Sequence, residues 1–94
     1  MQLVVGSDHP SLTGHFPGNP VVPGATMLAL IIGELGRIEP SLRIVGIGRA
    51  KFLTPLRPDQ PFEWRYERGR GDRLSVRAAI GDTQLLDAQL RVAA

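Results

Sequence analysis

The spacing of apolar and polar residues changes character several times along the chain. Gln2 to Ser7 (QLVVGS) is a short apolar run that ends in glycine and predicts a strand. The stretch GHFPGNPVVPGA, Gly14 to Ala25, holds three prolines and three glycines, too many breakers for regular structure. From Pro23 to Arg37 (PGATMLALIIGELGR) the chain is apolar on nearly every side until Glu34. That pattern predicts a helix buried all round. Pro23 and Gly24 suit its start, while Gly36, Arg37 and Pro40 suit its end.

Beyond Pro40 the pattern is that of strands. Leu42 to Leu53 (LRIVGIGRAKFL) is β-branched and carries two glycines that permit bending. TPLRPDQP predicts a turn. In FEWRYE, Phe62, Trp64 and Tyr66 alternate with Glu63, Arg65 and Glu67, which assigns the aromatic side to a core or an interface. RGRGD, Arg68 to Asp72, reads as a hairpin turn. Leu74, Val76, Ala78 and Ile80 then face inward, GDT turns the chain, and Leu86, Ala88, Leu90 and Val92 share the next inner face. One helix followed by about four antiparallel strands predicts an α+β domain, a helix wrapped by a curved sheet.

Composition narrows the classes of function. At 94 residues the expectation is one domain spanning 1–94, small enough to gain from association with another subunit. There is no cysteine, so neither a disulfide framework nor a thiolate metal site is available. The two histidines, His9 and His15, lack the spacing of a zinc motif, and no metal is expected. The longest apolar stretch, Met27 to Ile32, is far short of a bilayer span, and the first ten residues do not resemble a signal peptide. A cytoplasmic protein is therefore the expectation. The net charge is only +2, and the arginines are interleaved with Glu63, Glu67 and Asp72, which argues against a nucleic-acid module.

The chemistry concentrates in the Gly/Pro-rich stretch. His15 stands between rigid turn-formers at the approach to an apolar helix, whose first N–H groups are positively polarised and suited to a developing oxyanion. His9, in SDHP, reads instead as part of a turn capped by Asp8. GHFPGNPVVPG, the apolar helix after it and RAKFLTPLRPDQ further on resemble the hotdog-fold β-hydroxyacyl-(acyl carrier protein) dehydratases. Among these the chain is most similar to the short dehydratases of polyene pigment pathways, such as those making aryl polyenes. The resemblance runs from about Asp8 to Val92; its first motif is specific, while Lys51-Phe52 and Pro58-Asp59 are weaker signals.

The resemblance implies loss of water from a 3-hydroxyacyl thioester held on a phosphopantetheine arm, with no other cofactor. His15 would take the α-proton, and the Gly24 N–H would bond the thioester carbonyl. Phe16, Pro23 and Leu28 would line the substrate tunnel. The family's second group is a helix carboxylate fourteen residues after the histidine, facing it across a dimer interface; here that position is Ala29. Glu34, about 140° round the helix from position 29, reads as solvent-facing, and nothing specific recommends Asp8.

Three readings follow from this departure. The chain is a heterodimer subunit completed by a partner's carboxylate, a homodimer with an unrecognised acid, or a non-catalytic relative that binds acyl carrier protein or stabilises a complex. A hotdog thioesterase is a weaker alternative. For an acidic carrier protein, Arg37, Arg57, Arg65 and Arg68 are candidate contacts.

Overall fold

A computed structural model describes residues 1–9 and 21–93. His15 and Phe16 lie outside the described residues. The elements in chain order are β1 (Gln2–Leu3), α1 (Gly24–Ile38), β2 (Arg43–Phe52), β3 (Phe62–Arg68), β4 (Arg73–Ile80) and β5 (Thr83–Ala93). The strands form one antiparallel sheet in the order β1-β3-β4-β5-β2, and α1 packs on one face of it. This is the expected α+β arrangement.

The alternation read from the sequence builds the sheet's inner face. Phe62 and Trp64 of β3 are buried and Tyr66 is half-buried, while Glu63, Arg65 and Glu67 point to solvent. Leu74, Val76 and Ala78 of β4 and Leu86, Ala88, Leu90 and Val92 of β5 complete that face. Each large side chain so buried contributes roughly 1.5–3 kcal/mol. Both hairpins close on glycines in the left-handed region, Gly71 (φ 62°) and Gly81 (φ 56°), a conformation that costs glycine little. Leu85 is buried as well, which strict alternation does not predict. The pairing steps from Ala78↔Leu86 to Ala79↔Gln84, so a bulge leaves Leu85 without a partner on β4 and turns it inward beside Leu86, while its carbonyl accepts the Leu53 N–H at 2.8 Å.

Two expectations need correction. Burial of α1 is confined to one side, formed by Met27, Leu28, Ile31 and Leu35, whereas Ala25, Ala29, Gly33 and Gly36 are exposed. Alanine and glycine count as apolar in a pattern, but they offer little surface to bury, so the large residues alone choose the packed face. The first strand also ends at Leu3 rather than Ser7. Val5 is buried, but its carbonyl accepts the Asp59 N–H at 2.7 Å instead of extending the ladder to β3.

The far end of α1 is tied to the sheet. The Glu39 N–H closes the last turn on the Leu35 carbonyl at 2.8 Å, and Arg37 in that turn suits the helix dipole. Tyr66, stacked on Trp64 with centroids 5.9 Å apart, donates its hydroxyl to Glu39 Oε1 at 2.8 Å. That bond raises the Tyr66 pKa above its ordinary value.

β2 is an edge strand, paired with β5 on one side only. Its register shifts at Val45 and at Gly48, so one of the two glycines expected to permit bending stands at an irregularity. Large apolar side chains stand exposed along and just beyond it: Val45 (57%), Ile47 (55%), Phe52 (51%) and Leu53 (49%). Among the described residues no helix is long and apolar enough to cross a membrane.

Candidate active site

The start of α1 is the chemical focus of the described structure. Pro23 is the N-cap, and proline can neither donate from its nitrogen nor cap with its side chain. Its carbonyl accepts the N–H groups of Thr26 (3.0 Å) and Met27 (3.2 Å). The Gly24 and Ala25 N–H groups have no acceptor among the described residues, and the first turn holds no acidic side chain. Two polarised donors therefore point out of the helix, and the dipole adds to their pull on negative charge.

A cavity of about 150 Å³ opens beside them, lined by Val22, Gly24, Met27, Phe52, Pro55 and Leu56 among others. Its lining is more apolar than polar, and a hydrogen bond to a developing oxyanion counts for more the less water competes for it. Phe52, on the inner face at the end of β2, lays its ring where a side chain on Gly24 would stand. A larger hollow of about 310 Å³ runs past Glu63, Arg65, Arg77 and Gln84. Those residues belong to the face of the sheet away from α1, so it is no part of this site.

Each sequence-derived site residue has a definite place or none. Gly24 opens the helix and borders the cavity. Pro23 caps the helix, and Leu28 is buried in the core, while its neighbour Met27 faces the cavity. His15 and Phe16 fall among residues outside the described structure. Ala29 is exposed on the solvent side of α1, in line with Ala25 and Gly33.

Glu34 is remote from the helix start and engaged by a neighbour. It stands about 15 Å along the axis from Gly24. Its carboxylate accepts Arg37 Nη2 at 2.7 Å and Nε at 3.2 Å on the same oxygen, and these bonds hold its pKa below the ordinary value. Asp8 lies exposed in a turn where the His9 N–H reaches the Gly6 carbonyl at 3.0 Å.

One residue beside the helix start went unassigned in the sequence. Phe52 was marked by the Lys51-Phe52 signal, but only the structure reveals its contact with Gly24. Asp59, in the Pro58-Asp59 signal, has φ 63° and accepts the Ser7 N–H at 3.0 Å through its carboxylate. On the other side of the Gly/Pro-rich stretch, Val22 bridges to Leu56 with its N–H on the Leu56 carbonyl at 2.8 Å.

One helix laid on a five-stranded antiparallel sheet, with open amides over an apolar cavity, is a hotdog arrangement suited to a polarised carbonyl. Solved structures share that fold. The dehydratase heterocomplex ApeI:P from Xenorhabdus doucetiae superposes with a TM-score of 0.83 at 19% identity, over 99% of this chain and 84% of the other. An uncharacterised protein from Erwinia carotovora subsp. atroseptica gives 0.73 at 21% identity, over 98% and 79%.

The ApeI-like family model, described as ApeI dehydratase, matches residues 1–86, and the chain belongs to that family of dehydratases. It is also similar to 3-hydroxyacyl-(acyl-carrier-protein) dehydratases FabZ. The Chloroflexus aggregans protein is 30% identical over 102 residues, covering 95% of this chain and 70% of its own length. The Novosphingobium aromaticivorans protein is 32% identical over 83 residues, covering 73% of this chain and 52% of its own length.

Proposed function

We propose that this chain is the histidine-bearing subunit of a dehydratase that converts 3-hydroxyacyl thioesters on acyl carrier protein to trans-2-enoyl thioesters. The observation that carries the reading is the uncapped helix start at Gly24, opening on an apolar cavity directly after the GHFP motif. The substrate arrives on its own phosphopantetheine arm, and its thioester carbonyl accepts the Gly24 N–H. His15, neutral in apolar surroundings, removes the α-proton. Electrons of that C–H bond become the Cα–Cβ double bond as the β-hydroxyl departs, and an acid protonates it to water. The Gly24 N–H and the helix dipole stabilise charge on the carbonyl oxygen between these events.

The acid comes from a second hotdog subunit. Ala29 has no proton to give, and the Glu34 carboxylate is engaged by Arg37. The exposed edge of β2, rich in apolar side chains, supports a partner there, because an unpaired apolar edge is a template for another strand. The dehydratase heterocomplex of Xenorhabdus doucetiae lends weight to a heteromeric pairing. Exposed arginines favour an acidic carrier protein: Arg65 lies opposite Arg77 on the sheet's outer face, although Arg77 also pairs with Asp87 and Arg91 with Asp72. Charge complementarity of that face with an acidic surface would mainly speed encounter. The Ala29 methyl equally favours a second reading, a non-catalytic subunit that supports its partner.

The test is mass-spectrometric detection of water loss from a 3-hydroxyacyl carrier-protein thioester, with this chain paired to a carboxylate-bearing hotdog subunit. The reading expects His15→Ala to lower the rate of the pair by about 10²–10⁴-fold. An unchanged rate in that variant overturns it in favour of the supporting role.

A further inference from the structure

Among the described residues that line the cavity beside Gly24, Thr54 is the one with a polar side chain. It is half-buried, and Pro55 after it restricts its backbone. A threonine in a connection commonly bonds its hydroxyl to a nearby backbone group, which steadies the turn. Here neither the hydroxyl nor the N–H of Thr54 has a partner among the described residues. Asp59 and Gln60, polar neighbours in the same connection between β2 and β3, behave differently. Asp59 accepts the Ser7 N–H at 3.0 Å, and Gln60 Oε1 accepts the Arg57 N–H at 3.4 Å. Those two side chains hold the connection together; Thr54 does not.

The backbone on both sides of Thr54 is braced. The Leu53 N–H donates to the Leu85 carbonyl at 2.8 Å, and the Val22 N–H to the Leu56 carbonyl at 2.8 Å. Phe52, just before, pairs with Leu86 and lays its ring against Gly24. Thr54 is therefore held between anchored residues, on the cavity that the Gly24 N–H also borders. Small-molecule sites combine an apolar lining with a few placed polar groups that fix orientation. The Gly24 amide is one such group, and the Thr54 hydroxyl is a second. An amide N–H only donates, whereas a hydroxyl both donates and accepts. Together they suit a ligand with a carbonyl oxygen for the amide and a hydroxyl, a short way along the same chain, for Thr54.

We propose that Thr54 is a specificity residue, whose hydroxyl binds the 3-hydroxyl of the acyl group while the Gly24 N–H holds the thioester carbonyl. The proposal rests on the reading of Gly24 as the donor to that carbonyl. In a 3-hydroxyacyl thioester the carbonyl and hydroxyl carbons flank a single methylene, so both oxygens fall inside one cavity of about 150 Å³. A site that bonds a substrate hydroxyl disfavours the analogue without it, because its own polar group is then left unpaired. Thr54 thereby selects 3-hydroxyacyl over saturated acyl groups. A threonine hydroxyl is no acid near neutral pH, so the contact orients the leaving group and leaves the need for an acid unchanged.

Amide analogues, with nitrogen in place of the thioester sulfur, hold their α-protons too firmly to react, so binding is measured apart from turnover. The probes are the 3-hydroxybutyryl and butyryl amides of amino-pantetheine, titrated calorimetrically into this chain paired with a carboxylate-bearing hotdog subunit. The proposal expects the parent to bind the hydroxylated probe about 2–10-fold more tightly, the net effect of one hydrogen bond. Thr54→Val keeps the shape without the hydroxyl and should bind the two probes equally, by weakening only the first. Thr54→Ser should keep the preference. Thr54→Ala gives the same comparison should Thr54→Val lose its cooperative melt. A preference that survives in these hydroxyl-free variants overturns the proposal, as does equal or undetectable binding of the two probes by the parent. If Thr54→Val removes the preference in a pair that releases no water from the thioester, the Thr54 contact stands and the dehydratase reading falls.

Discussion

The ring of Phe52 occupies the space that a side chain at Gly24 would need. Glycine at the helix start therefore serves two contacts, an open N–H and an aromatic wall against its Cα. Gly24→Ala is expected to force the ring aside and destabilise the fold by about 1–3 kcal/mol. Phe52→Ala in the same chain should recover most of that loss, because the two residues are in contact and their effects are coupled. Urea unfolding of both single variants and the double variant checks this. Additive effects would contradict the contact.

The β5 bulge makes a second claim that can be measured. Leu85 is 1% exposed, whereas its neighbour Gln84 is exposed. Leu85→Ala should cost about 2–5 kcal/mol, the usual range for a buried leucine. Gln84→Ala should stay within about 0.5 kcal/mol of the parent. Equal effects in urea unfolding would mean that β5 alternates regularly.

Much of this fold was legible in the sequence, for reasons that particular residues make plain. Phe62, Trp64 and Tyr66 alternate with charged neighbours, so the face they share follows from the pleat alone. Leu85 was not legible, because a bulge shifts side-chain direction without any mark in local polarity. Ala25, Ala29 and Gly33 misled in the opposite sense, since small residues extend an apolar pattern but do not decide which side is buried. For the site, the GHFP motif and helix start stand in the sequence next to each other. Phe52 reaches the helix start from more than twenty residues away, and only tertiary structure brings it there.

The Glu34–Arg37 pair predicts an acid-side effect. The Glu34 pKa is lowered, so its contribution to stability is present above the ordinary value of 4.5 and lost as pH falls through the lowered one. Melting temperatures recorded across that window should fall less steeply for Glu34→Gln than for the parent. Being remote from Gly24 and engaged with Arg37, Glu34 should leave dehydration by the paired enzyme unchanged when substituted in the same way. A loss of turnover in Glu34→Gln would make it a candidate acid after all.

The apolar edge of β2 predicts association through that strand. Ile47→Lys places a charge at an exposed edge position and should leave the stability of the single chain within about 0.5 kcal/mol. It should weaken pairing with the second subunit, read by analytical ultracentrifugation. Undiminished pairing would move the interface away from β2.

On the proposed function, this chain supplies a base and an oxyanion donor, and a second subunit supplies the acid. The most direct measurement is water loss from a 3-hydroxyacyl carrier-protein thioester by this chain alone, by its Ala29→Asp variant, and by the chain paired with a carboxylate-bearing subunit. Little turnover is expected from the chain alone and a marked gain from both other samples, with each gain abolished by His15→Ala. Turnover by the unmodified chain alone equal to that of Ala29→Asp would contradict it.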